Sequence, residues 1–270
     1  MSADSIAARR RAAQALAAPV LAALLGDLAV TARAAESPEQ PATFLMVGPG
    51  IYVQPAYPGA NFTRSFFLPD IEAQYHNWLY VSATDLLGVY AYNHQGTKLG
   101  AAITWDFTER RASDSPSFQN LGDVPTTPRL KLFAQARIAM FSGGVNVATD
   151  VGGHDEGTLA QAHVELLLPL TAHGFVSIGP GVVWSDHKYM AAFYGVTAEQ
   201  SAVSGLPQFD AGSGISQVYG ELLAGYQISS RWSIGFDAVV AHLEHGAANS
   251  PFTSQRRQTT VLASVLYTIR

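Results

Sequence analysis

The sequence predicts an all-β chain, a transmembrane antiparallel up-and-down β-barrel of about 12 strands, with about 10 as the alternative. Three observations carry this. Apolar residues recur at every second position along most of the chain, the strand period. The alternating runs span about nine to fourteen residues, longer than the five or six usual in soluble sheets and right for tilted strands crossing hydrocarbon. Charge is scarce: Lys plus Arg number 16 and Asp plus Glu 21, 14% of 270 residues, against about 25% in a typical soluble domain. Yet 48% of residues are apolar and mean hydropathy is only +0.10. A net charge of -5 offers no basic footprint, so nucleic acid is not an expected partner. The absence of Cys excludes zinc ribbons, thiol nucleophiles and disulfide frameworks. Beyond residue 34 no run of 18 apolar residues exists that could form a membrane-spanning helix.

The first element is a leader. Arg9, Arg10 and Arg11 precede an apolar stretch from Ala12 to Leu25, and Ala32-Arg33-Ala34 follows ahead of Ala35. A basic start, a short apolar stretch and a small-x-small site read as a signal peptide over 1–34, leaving 35–270 as the barrel. Its removal takes away four Arg and two Asp, moving the net charge from -5 to -7. The expected destination is the outer membrane of a Gram-negative bacterium, with outer-membrane lipid around the barrel.

Strand segments start near Thr43, Phe62, Trp78, Thr97, Leu130, Gly144, Thr158, Gly174, Gly214, Arg231 and Arg256. The clearest runs from Arg231: Trp232, Ile234, Phe236, Ala238 and Val240 are apolar, while Ser233, Gly235 and Asp237 between them are small or polar. In the run from Leu130, the apolar face holds Leu132, Ala134, Ala136, Ile138 and Met140, opposite Lys131, Gln135 and Arg137. A soluble sandwich or ligand-binding barrel would turn the apolar face inward and cover itself with charge, and this chain lacks that charge. The charge count favours an apolar face that meets lipid, with a secreted soluble β-barrel that binds a small apolar ligand as the minor alternative. Tyr52, Trp184, Tyr226, Trp232 and Tyr267, near strand ends, fit interfacial girdles.

Connections order the strands. Short turns are expected at Ser142-Gly143-Gly144, Thr171 to Gly174 and Ser229 to Arg231, with long polar links at 109–127, 187–214 and 245–255. Alternation of short and long links places the short turns on the periplasmic side with the C-terminus. A closed antiparallel barrel with both termini on one side needs an even count, so the region 43–92 is expected to hide a twelfth strand.

Several motifs lie outside the strand pattern. One loop carries Trp184, Asp186, Lys188, Tyr189, Met190, Tyr194, Gly195, Gln200, Ser201, Gly205, Leu206, Pro207, Asp210 and Gly212; a second motif carries His154, Asp155, Gly157 and Thr158. With Gly48-Pro49-Gly50, Pro55 to Gly59, Leu68-Pro69, Leu121 to Val124 and Ser250-Pro251, these resemble the MipA/OmpV family of MltA-interacting outer-membrane proteins, motif by motif and in family order. The resemblance covers nearly the whole chain after the leader. It departs at the end, where Tyr267-Thr268-Ile269-Arg270 stands in place of the family's tendency to Tyr-x-Phe. It implies a non-enzymatic scaffold whose partners are a lytic transglycosylase and a bifunctional peptidoglycan synthase; other members are discussed as adhesins.

The residues themselves leave other classes open. His154-Asp155, Asp186-His187 and the His242, Glu244, His245 group put imidazole beside carboxylate, but no Gly-x-Ser-x-Gly elbow is present and no catalytic residue is assigned. A barrel-embedded hydrolase stays as a minor alternative. No metal site and no cofactor are expected, since His242 and His245 would fall on opposite faces of a strand. Asp106, Lys131, Arg137, Glu165, Glu221 and Asp237 are expected to face the lumen, as a packed ionic plug or as the lining of a small channel.

Overall fold

The computed structural model describes residues 43–269; the expected leader, residues 1–34, and Arg270 lie outside them. Twelve strands close into one antiparallel barrel. They are β1 Phe44–Pro55, β2 Thr63–Tyr75, β3 Leu79–Val81, β4 Asp85–His94, β5 Thr97–Asp106, β6 Thr127–Ile138, β7 Phe141–Asp150, β8 Thr158–Thr171, β9 Gly174–Ser185, β10 Gly214–Gln227, β11 Trp232–Leu243 and β12 Arg257–Thr268. Each strand pairs with its sequence neighbours, and β1 closes on β12, Met46 opposite Thr268 and Val53 opposite Val261.

The segment near Trp78 divides into β3 and β4, which supplies the strand missing from the sequence count. Alternation is hard to follow there because β4 carries register shifts at Asp85/Leu87 and Tyr90/Tyr92. The turn expected at Ser142-Gly143-Gly144 is corrected. Those residues belong to β7, and the chain reverses at Ala139-Met140, with Ala139 at φ +53°. Gly144 serves packing instead: a Cβ there would come within 2.8 Å of the His163 ring, facing the lumen.

Connections at 76–78, 95–96, 139–140, 172–173 and 228–231 are short and share one end with the described termini. The links 56–62, 107–126, 151–157, 186–213 and 244–256 share the other end. The outer wall is apolar and uncovered: Phe67, Leu99, Leu132, Val145, Val164 and Ile234 are all exposed. Alternate residues turn inward and carry the polar groups, the inverse of a soluble barrel. Tyr226, Trp232 and Tyr267 gather at the short-turn end, the last two with rings 5.0 Å apart, and Trp184 is exposed near the other end. Tyr52 is no part of a girdle. It shares its face of β1 with Gly50 and Gln54 and packs inside on Phe66 and Phe107, centroids 5.3 and 5.8 Å away.

Candidate functional site

The long links pack on one another and cap the barrel mouth. Helix α1, His187–Tyr194, starts at Asp186, whose carboxylate accepts from Tyr189 N–H at 2.9 Å, and Gly195 N–H closes it on Ala191 O at 3.1 Å. Its Tyr189, Met190, Phe193 and Tyr194 are buried with Leu243 and Ala247, against the inward-facing Leu159 of β8. Helix α2, Ala198–Ser204, has a reciprocal cap between Thr197 and Gln200 and ends at Gly205 in the left-handed region, φ +73°. Ser201 Oγ donates to Leu206 O at 2.6 Å, and Leu206 packs on a second cluster that joins Tyr57, Phe118, Val196 and Phe252. Pro207 and Asp210 stay exposed; Asp210 accepts from Gly212 N–H at 3.0 Å. Helix α3, His245–Asn249, adds Ala247 to the first cluster.

Two sequence motifs meet beneath this cap. Lys188 pairs with Asp155, and Gly157 runs so close to the start of α1 that a Cβ would lie 2.1 Å from Asp186 Oδ1. Gly157 also has φ +63°, a conformation that glycine adopts without strain. His154 N–H donates to Asp150 Oδ2 at 3.0 Å, its ring lies 3.3 Å from Thr127 Oγ1, and Thr158 Oγ1 donates to Thr149 Oγ1 at 3.0 Å. At the centre is Arg129, its side chain 2% exposed. Its Nε donates to Asp106 at 2.7 Å, Nη1 to Gly157 O at 2.9 Å and Nη2 to Glu156 Oε2 at 3.3 Å, while Tyr189 covers the guanidinium at 5.5 Å. Burial pushes the Glu156 carboxyl up to about 7 although Arg129 opposes the rise. Arg129 thus ties the barrel wall, the 151–157 link and α1 together.

A second buried guanidinium, that of Arg110, lies in the outer cap. It is buried between Phe118 and Phe252, 5.7 and 4.6 Å from their centroids, and burial lowers its pKa to about 10. Its backbone pairs with Val124 in both directions.

Below the cap the lumen is ionic. Lys131 pairs with Asp85, which also accepts from Tyr80 Oη at 2.8 Å. Glu165 accepts from Ser177 Oγ at 2.8 Å and lies 3.8 Å from His163 Nε2. Glu221 and Asp237 stand on the inward faces of β10 and β11, where Asp237 pairs with Leu223 two positions along from Glu221. Arg137 shares the inward face of β6 with Arg129 and Lys131.

The imidazole-carboxylate pairs do not converge. His187 lies 3.6 Å from Asp210, both exposed, and His242 lies 3.2 Å from Glu244. His245 turns to Ile215 O at 3.3 Å. His154 Nδ1 alone meets a side-chain hydroxyl among the histidine contacts described, that of Thr127, which itself donates to Asp150 Oδ1 at 2.6 Å. Sequence reading missed Arg129, Glu156 and Arg110. Extending the β6 alternation back to Thr127 would have turned Arg129 inward, whereas Arg110 has no local signal, because distant links supply its aromatic neighbours.

A search of curated proteins finds no match. Among solved structures, the translocator domain of autotransporter NalP from Neisseria meningitidis is similar at 9% identity, covering 83% of this chain and 88% of that one, with a TM-score of 0.47. The outer membrane channel DcaP of Acinetobacter baumannii is similar at 6% identity, 84% and 96% coverage and a TM-score of 0.36. The outer membrane protein OprG from Pseudomonas aeruginosa is similar at 12% identity, 84% and 93% coverage and a TM-score of 0.20. The family model described as MltA-interacting protein MipA matches residues 47–269, from within β1 to the end of β12 and every link of the cap. The chain belongs to the MipA family.

Proposed function

We propose that this chain is a non-enzymatic scaffold in the outer membrane of a Gram-negative bacterium, inserted after loss of residues 1–34, that helps assemble enzymes of peptidoglycan synthesis and turnover. The family match over 47–269 carries the reading, since that family's description is of a protein that interacts with MltA, a lytic transglycosylase. A bifunctional peptidoglycan synthase is the second partner the reading names. The geometry adds a surface. The short turns at 76–78, 95–96, 139–140, 172–173 and 228–231 share one end with both described termini, the periplasmic end in this orientation, where Arg231 Nη1 donates to Tyr267 Oη at 3.1 Å beside Trp232 and the 172–173 turn holds His173. The test is co-purification from native expression with a lytic transglycosylase and a bifunctional peptidoglycan synthase. Capture of both, weakened by Arg231→Glu with His173→Glu, is the expected result; recovery of neither refutes the scaffold.

An adhesin is the second reading, favoured by the exposed α2 face and the 205–214 segment at the opposite end. A small channel is less compatible with the mouth-covering packing of α1, and stable conductance in planar bilayers would favour it over the scaffold. Purified protein is expected to show no esterase or lipid deacylase activity that His154→Ala or His187→Ala removes.

A further inference from the structure

The barrel wall is not paired throughout. β2 bonds to β1 along its whole length, from Phe44 opposite Gln74 to Pro55 opposite Thr63. On its other edge only Ala73, Gln74 and Tyr75 meet β3. The hairpin of β3 and β4 turns back at residues 82–84, where Ser82 N–H donates to Asp85 O at 2.9 Å. Above it, among the described residues, the β2 edge from Thr63 to Glu72 has no strand partner. Across the notch lies the end of β5, held to the hairpin tip by Trp105 N–H on Thr84 O at 3.3 Å. Side chains do the bridging: Glu72 Oε1 accepts from Ala83 N–H at 3.1 Å, and Phe66 packs on Phe107 at 5.4 Å. An open sheet edge facing hydrocarbon is heavily penalised and is tolerated where it lines a polar, accessible space.

The two sides of the notch differ in chemistry. Outside, Phe67 is 85% exposed, and Ile71, Leu86 and Leu87 are exposed around it. Inside, Asp70 is 3% exposed with Oδ1 lacking any hydrogen-bond partner. Glu72 is the next inward residue and lies within electrostatic reach of Asp70 and Asp85. Lys131 neutralises Asp85, but neither Asp70 nor Glu72 has an ion pair among the described residues. A buried carboxylate oxygen without a partner calls for a cation or a charged donor. A bare metal ion fits poorly, because among the described residues no group of three or more His, Asp or Glu is arranged to hold one. An organic ammonium, which can meet the unpartnered Asp70 Oδ1 without a preset coordination shell, fits better.

We propose that the notch between β2 and the β3–β4 hairpin is a lateral portal for a cationic amphiphile, its ammonium head on Asp70 and Glu72 and its alkyl chain along Phe67 and Ile71 in the lipid. The inference rests on the membrane placement of the barrel and not on the scaffold role.

The test uses the folded chain in phosphatidylcholine vesicles with dodecyltrimethylammonium bearing a diazirine on the chain, and the matching dodecanol and dodecanoate probes. Labelling of the 63–75 peptide is read against the remote wall peptide 158–171. The ammonium probe is expected to favour β2 by about tenfold, the scale of one charge-assisted contact, and unlabelled dodecyltrimethylammonium competes the excess away. Asp70→Asn with Glu72→Gln, checked for unchanged heat-modifiable migration, removes the preference. Should that variant fail to fold, competition on the unaltered chain decides alone. Equal β2 labelling by all three head groups, or an excess that does not compete, overturns the portal while leaving the membrane barrel intact. Absence of labelling on every strand overturns the membrane placement and the portal with it.

Discussion

Replacing Arg129 by Met keeps an apolar stem of similar length and removes the guanidinium that joins wall to cap. Four acceptors lose their donor together: Asp106, the Glu156 carboxylate and the carbonyls of Glu156 and Gly157. Breaking a buried ion pair from one side costs about 3–5 kcal/mol, because the remaining charge stays desolvated. Glu156, already lifted to about 7, takes up a proton and relieves part of this, so the low end, about 3 kcal/mol, is expected. The loss falls on the cap. The strand ladders do not pass through Arg129's side chain, so the barrel keeps its heat-modifiable migration. At about 1.4 kcal/mol per tenfold, opening of the 186–213 link rises about a hundredfold, read as the rate of proteolytic nicking there relative to the unaltered chain. An unchanged nicking rate would refute the idea that Arg129 fastens the cap, and loss of the whole barrel would refute the separation of cap from wall.

Other outcomes follow from the same contacts. Glu156 has its folded pKa raised from 4.5 to about 7, so the folded cap holds a proton that the opened form releases. Cap stability is therefore greatest at low pH and declines by about 3 kcal/mol as pH rises from 4.5 to 7, then levels off. Nicking rates measured across that window should show the slope, and Glu156→Gln should flatten it; a slope of opposite sign contradicts the assignment. Gly157→Ala places a Cβ against the α1 cap at a φ of +63° and is expected to weaken the cap by about 1–3 kcal/mol, seen as faster nicking near His187. Lys131→Met leaves Asp85 unpaired inside the lumen and should lower the temperature at which the folded band disappears from gels, whereas an unchanged temperature would show the pair to be inert.

The parts of the fold set by local alternation were legible in the sequence. β11 and β12 read directly from their residues. Where the backbone departs from regular pairing, alternation gives no boundary: β3 and β4 read as one segment because β4 is bulged twice and β3 spans three residues. Gly143 and Gly144 looked like a turn because glycine also serves where a neighbouring strand comes close, and here a lumen side chain fills the space. Tyr52 shows the limit of composition, since its aromatic ring suits a girdle and its parity turns it inward. The motif loops were visible as motifs but not as helices. What unites them, Arg129 under Tyr189 and Glu156, is a contact among residues far apart in the chain, which no window of sequence contains.

The proposed outer-membrane barrel has its cap outside the cell and its 172–173 turn facing the periplasm. The chain has no cysteine, so single substitutions give a clean background. Val203→Cys, exposed in α2 of the cap, should react with a membrane-impermeant maleimide on intact cells, while His173→Cys, in a short turn, should react only after the outer membrane is permeabilised. Labelling of both positions on intact cells, or of His173→Cys alone, would overturn that orientation.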